Sequence, residues 1–191
     1  MEMRAALLYA PHDIRVETRE VAPCGDHDII INLKKACLCP TDIKKYNADK
    51  PDVEGALEEY GPCILGHEAA GVVVETGARV TAVKKGDRVA VQPMIFCGEC
   101  GYCKEGRTNL CPRVIGVGCS AGGFGECEEL FYEQGVGGCF ATHLKAPEIC
   151  AMKLPDSLSM EAGSLLEPLA DVVHSVDHAL TGPGDDVAVL G

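Results

Sequence analysis

Four cysteines crowd one short stretch, "CGECGYCKEGRTNLC" at 97–111, as Cys97, Cys100, Cys103 and Cys111. The spacing C-x2-C-x2-C-x7-C admits three chemistries: a disulfide staple, an iron–sulfur cluster or a metal cage. Zinc takes four thiolates in a closed tetrahedron, which would set the sulfurs roughly 3.8 Å apart. Gly98, Gly101 and Gly106 give the backbone freedom to wrap one ion. A cage of this kind fills every coordination place, so it stiffens a loop and cannot act as a Lewis acid. An iron–sulfur cluster also accepts four thiolates; zinc is the preferred reading.

If that lobe is structural, the reactive site lies elsewhere. Three stretches each offer one metal ligand: "CLCPTDIKKY" at 37–46 offers Cys39, "LGHEAAG" at 65–71 offers His67, and "LLEPLAD" at 165–171 offers Glu167. A catalytic zinc needs three protein ligands and one open place. Taken singly, the plainer readings win: a core thiol, a satisfied core histidine and a helix-surface carboxylate. Cys24, Cys63, Cys119, Cys127, Cys139 and Cys150 show no ligand spacing and read as core or surface residues.

The elements that must position these groups change character along the chain. The first ninety or so residues read as β: "MRAALLY", "DIRVET", "DIIINLKKA", "AAGVVVETG" and the turn-then-strand "KKGDRVAVQP". Positions 93–140, rich in Gly and Cys, read as loop, and "FATHLKAP" returns to a strand. Beyond it Leu158, Ala162, Leu165, Leu169, Val172, Val176 and Leu180 recur at helical spacing. Ser159 is the expected N-cap, Gly182-Pro183 the expected stop, and Pro168 should kink or split the helix. "DDVAVLG" then reads as a buried strand.

Composition narrows the function. The net charge of −12 argues against nucleic-acid binding, which needs clustered Lys and Arg. The apolar run "AALLYA" is too short for a signal peptide or a membrane span. The chain therefore reads as cytosolic, where clustered cysteines serve as metal ligands rather than disulfides.

Together the motifs resemble the zinc-containing medium-chain dehydrogenases/reductases, the alcohol and polyol dehydrogenases. "GHEAAGVVVETG", "KKGDRVAV", "CGECGYCKEGRTNLC" and "EPLA" followed by "GDDVAVLG" stand in that family's order. The resemblance implies a mainly β fold with some α: a GroES-like β-barrel catalytic domain over 1–156 with a zinc lobe about 93–113, a hinge helix region over 157–182, and at 183–191 the start of a Rossmann domain that is otherwise missing. It implies Cys39, His67 and Glu167 as catalytic zinc ligands, with Glu68 near the ion and able to ligate it. Asp42 would accept a hydrogen bond from the ligand histidine, and Thr41 would take the substrate proton. Many relatives end the proton relay in a histidine where this chain has Lys44. Pro40, where many have Gly, suits the first turn of a short helix.

The implied activity is zinc-assisted oxidation of a secondary alcohol or polyol, with two zinc ions per chain, NAD or NADP as hydride acceptor, and a homo-oligomer at full length. Gly191 would be the first glycine of the nucleotide-binding turn, so this chain alone is expected to be inactive. "GCSAGGFGECEELFYEQGVGGCFATHL" reads as an acidic insertion forming a solvated loop. Two other functions compete: a standalone zinc-binding module without redox activity, and an iron–sulfur or thiol redox protein.

Overall fold

The computed structural model describes residues 1–48, 57, 61–116 and 137–190. Alternation in the first strands sets the frame. β1 (Glu2–Ala10) turns through His12, whose φ is 64°, into β2 (Asp13–Glu20), and the two pair antiparallel from Glu2↔Glu20 onward. Ala5, Leu7 and Leu8 of β1 are buried. β4 (Cys63–Ile64) borders the other edge of β1.

A second, five-stranded antiparallel sheet carries most of the core. Its order is β10 (Ala151–Lys153), β6 (Arg88–Val91), β5 (Ala69–Thr76), β3 (Asp28–Ala36) and β9 (His143–Pro147). The β-branched and aliphatic residues Ile29, Ile31, Val73, Val89 and Leu144 meet in one cluster, as expected for strands half-covered by a partner face. Residues 140–142 stitch the two sheets together. Ala6 N donates to Phe140 O at 2.8 Å, Thr142 N to Arg4 O at 2.8 Å, and Leu33 N to Thr142 O at 3.0 Å. The result is a curled half-barrel, mainly β with few helices. The strands expected from the apolar runs of the first ninety or so residues, and from "FATHLKAP", are present; β4 and β10 are additional.

The 93–140 stretch, expected as loop, holds more order than its composition implies. β7 (Met94–Ile95) pairs with β8 (Ile115–Gly116), and a short helix, α2 (Gly101–Lys104), lies between them. Residues 117–136, which contain most of the expected insertion, lie outside the described residues.

The helical stretch splits in two. Ser159 Oγ accepts from Ala162 N at 3.1 Å and starts α3 (Met160–Ser164); α4 (Leu166–Ala179) follows directly. The break falls at Leu165, so that Pro168 lies in the first turn of α4, where its missing N–H leaves no bond unmade. The helix stops at Leu180, with φ 55°, two residues before the expected Gly182. "DDVAVLG" is not a buried strand: residues 185–190 form no strand, and Val187, Val189 and Leu190 are exposed. An extended segment needs a neighbouring edge to satisfy its N–H and C=O groups, and none of the sheets among the described residues pairs with it.

Candidate metal centres

The β7–β8 pairing closes the base of a lobe whose cysteines all point inward. The four Sγ atoms of Cys97, Cys100, Cys103 and Cys111 lie within 4.8 Å of one another. Cys97 Sγ and Cys103 Sγ are 3.9 Å apart, far too long for a disulfide bond. None of the ten described cysteines is disulfide-bonded. Gly98 and Gly106, with φ 74° and 77°, make the tight turns. Backbone N–H groups aim at the sulfurs: Cys100 N at Cys97 Sγ (3.4 Å), and Cys97 N and Arg113 N at Cys111 Sγ (3.5 and 3.4 Å). Such donors favour thiolates. The Glu99 N–H in particular pulls the Cys97 thiol down to about 6, whereas burial pushes Cys103 up to about 12. Arg113 also pairs with Glu99 across the lobe. The separations fit one ion with bonds near ~2.3 Å; a cluster, whose thiolates bind different irons, holds them further apart.

The second constellation is built around Asp42. Cys39 caps α1 (Pro40–Tyr46), and its Sγ accepts from Thr41 N at 3.4 Å. Asp42 Oδ2 accepts from Cys39 N and Asp42 Oδ1 from Gly66 N, each at 3.0 Å. A carboxylate 2% exposed thus ties the start of the helix to the turn before His67. That turn needs glycine, because Gly66 has φ 88° and a Cβ there would stand 2.5 Å from the Phe140 ring. A bond from Cys37 N to Glu68 O at 2.9 Å fixes the end of β3 beside the start of β5.

The outcome is that Cys39, His67 and Glu68 place one ligand atom each within 4.8 Å of one another. His67 and Glu68 are both buried. Among the described residues His67 Nδ1 has no hydrogen-bond partner, and it stands 3.7 Å from Asp42 Oδ1. The hydrogen bond expected there is absent; Asp42 acts on the ring as a nearby charge. Burial holds the His67 pKa below its usual value, against the pull of Asp42 and Glu68, so the ring is neutral and able to ligate. A thiolate, an imidazole and a carboxylate form a donor set that suits zinc, with a fourth place open.

Glu167, expected as the third ligand, is not in that trio; Glu68 is. Glu167 lies in the first turn of α4, on the wall of a pocket of about 300 Å³ shared with Gln92, Met94, Met152 and Asp171. Burial raises its pKa to about 7, helped by the charges of Asp171, Glu68 and Asp42. Glu167 thus lines the pocket and feels the charge of Glu68.

Residues 25–156 match the alcohol dehydrogenase GroES-like domain. The chain belongs to this family. The GroES-like chain is 32% identical to sorbitol dehydrogenase of Bacillus subtilis (strain 168) over 99% of its own length and 49% of the relative's. It is similar in structure to 2R,3R-butanediol dehydrogenase from Bacillus subtilis, with a TM-score of 0.74 and 28% identity, covering 96% of this chain and 49% of that one. A protein of Sinorhizobium meliloti 1021, solved bound to NADP, is 28% identical with a TM-score of 0.72, over 93% of this chain and 46% of the other. The GroES-like chain thus spans about half the length of the curated relatives it matches. The resemblance to zinc-containing medium-chain dehydrogenases read from the motifs holds.

Around the trio of the GroES-like domain, Thr41 is half-buried beside Cys39, and Lys44 is exposed. Lys45, the next residue, is 5% exposed, and its charge reaches His67. Lys45 and Asp171 were not anticipated. Asp171 is readable in retrospect, since it stands one helical turn beyond Glu167. Gly191, the expected cofactor contact, lies outside the described residues. No helix among the described residues is long and apolar enough to cross a membrane.

Proposed function

We propose that this chain is the catalytic domain of a zinc-dependent NAD(P) dehydrogenase that oxidises a secondary alcohol or polyol. One observation carries the reading: a thiol, an imidazole and a carboxylate converge at Cys39, His67 and Glu68, with the Glu68 charge felt at Glu167 on a pocket wall, while a separate lobe gathers four cysteines. An open set is arranged for reaction and a closed one for structure. Cys39, His67 and Glu68 would hold the reactive zinc, and Cys97, Cys100, Cys103 and Cys111 a second ion. A zinc ion held there would supply the Lewis acidity that makes an alcohol easier to deprotonate, and a nicotinamide would supply the hydride acceptor.

The chain's own residues do the placing. Asp42 holds Cys39 and the His67 turn at a fixed separation through its two backbone bonds. The Thr41 hydroxyl is the group nearest in sequence to Cys39 that can take the substrate proton, and Lys44 or water completes the path outward. Glu167 stands at the pocket wall as a hydrogen-bond partner for the substrate rather than as a ligand. In the cell we place the full protein in the cytosol as a homo-oligomer, on the strength of its thiol-rich composition and its family.

Metal analysis tests the reading. The purified chain should hold about two zinc ions; His67→Ala and Cys111→Ser should each lower that to about one, and the double variant to none. The full-length protein, assayed with NAD and NADP, should oxidise sorbitol, threonine or butanediol and lose this activity in Cys39→Ala. An unchanged zinc content in His67→Ala would refute the open site.

A further inference from the structure

The pocket against α4 carries charge of one sign only. Its walls are mostly apolar, with Met94 and Met152 among them, and its ionisable residues are Glu167 and Asp171. Among the described residues, no lysine, arginine or histidine lines it. Asp171 sits one turn beyond Glu167 on the same helix face. It is exposed, and its charge is felt at both Glu167 and His67. A divalent ion in the trio would be offset by the Cys39 thiolate and the Glu68 carboxylate. Lys153, the residue after Met152 of the pocket wall, is paired with Asp87 at 3.1 Å. Asp171 makes no ion pair among the described residues, and it stands at the pocket wall with Glu167, which adds to its charge when ionised.

We propose that Asp171 makes this pocket select its alcohol by charge: an alcohol bearing an ammonium group binds ahead of a neutral polyol, and one bearing a carboxylate or phosphate is turned away. The inference rests on the reading of the pocket as an alcohol site. An ammonium a few carbons from the reacting hydroxyl finds a carboxylate acceptor at the helix, a charge-assisted bond stronger than a neutral one. Two unit charges about 7 Å apart near a protein surface interact measurably even after salt screening. Asp171 is exposed, so the expected discrimination per unit of ligand charge is at the modest end, about tenfold.

The test uses the full chain loaded with cobalt(II), whose visible absorption changes when a ligand enters an open coordination place. Three ligands of one skeleton are titrated at pH 7.5 and constant ionic strength: 3-amino-1,2-propanediol, glycerol and glycerate. Difference spectra report the open site alone, because the four-cysteine site is closed to ligands. In Asp171→Asn the preference for the amine over glycerol should shrink about tenfold, and glycerate should gain by a similar factor. Asp177→Asn, an exposed carboxylate on another face of α4, should leave both ratios unchanged. Ratios within about twofold of the parent in Asp171→Asn, or an equal change in Asp177→Asn, overturn the proposal while leaving the alcohol site standing. If none of the three ligands perturbs the parent spectrum, the alcohol-site reading falls, and this inference with it.

Discussion

Replacing Asp42 by alanine removes the acceptor for two backbone donors at once. Cys39 N and Gly66 N each lie 3.0 Å from its carboxylate, and the side chain is 2% exposed. A buried donor left without a partner costs about 1–3 kcal/mol. The Gly66 N–H is buried and should stand near the upper figure; the Cys39 N–H is partly exposed, so that water softens its loss. The sum is about 3 kcal/mol, or about 6–12 °C in melting temperature for a chain of this size. Asp42→Asn keeps one acceptor and turns an amide N–H toward the other donor, so it should lose about half as much. His67 makes no hydrogen bond to Asp42, which means the loss does not depend on a metal. The assay is thermal melting of the metal-stripped chain by far-UV circular dichroism, followed by competition of the reloaded chain with a chelator. The second measurement should show metal held about 10–100-fold more weakly, because the Cys39–His67 separation is no longer fixed. A metal-free Asp42→Ala chain that melts within about 2 °C of the parent would refute the idea that this carboxylate is the structural tie.

Glu167 gives a pH dependence with a definite sign. Its folded pKa is raised to about 7, so in the metal-free chain the native state holds a proton that the unfolded state has released, and stability falls as pH rises from the ordinary carboxylate range to about 7. Glu167→Gln should abolish that fall, being more stable than the parent by about 1–2 kcal/mol at pH 8 after allowance for solvent screening, with no advantage at pH 4; urea titrations at the two pH values decide it. Arg88 offers Nη1 to Pro155 O and Asp156 O at 3.1 Å each, and Nη2 to Leu158 O, so it ends the chain run that leads into α3. Arg88→Met should cost about 2–3 kcal/mol in urea unfolding and leave the zinc content unchanged.

Periodicity carried most of the fold. "DIIINLKKA" gave β3 its whole length because three isoleucines in a row suit the centre of a sheet and nothing nearby breaks it. β4 and β10, at two and three residues, were too short for any period to register. "DDVAVLG" misled because an apolar run reports that a segment suits burial, not that an edge is there to receive it. The four-cysteine lobe was fully legible, since its ligands are local and their spacing is the geometry. The open site was legible in part. Cys39 and His67 carry their own motifs, but whether Glu68 or Glu167 completes the trio depends on where α4 lies relative to β5, which no local spacing encodes.

The two candidate centres differ in how far apart along the chain their donors lie, and that difference sets an order of events. In the lobe, 14 residues separate the first cysteine from the last. Closing so short a loop around an ion costs little chain entropy and requires no sheet. The open trio instead joins Cys39 to His67 and Glu68 only after β3 and β5 have paired across their bulges. A chain whose β3 and β5 have not yet paired can therefore close the lobe but not the trio. Loosening of the two sheets should accordingly scatter the donors of the trio while the four cysteines of the lobe stay close together.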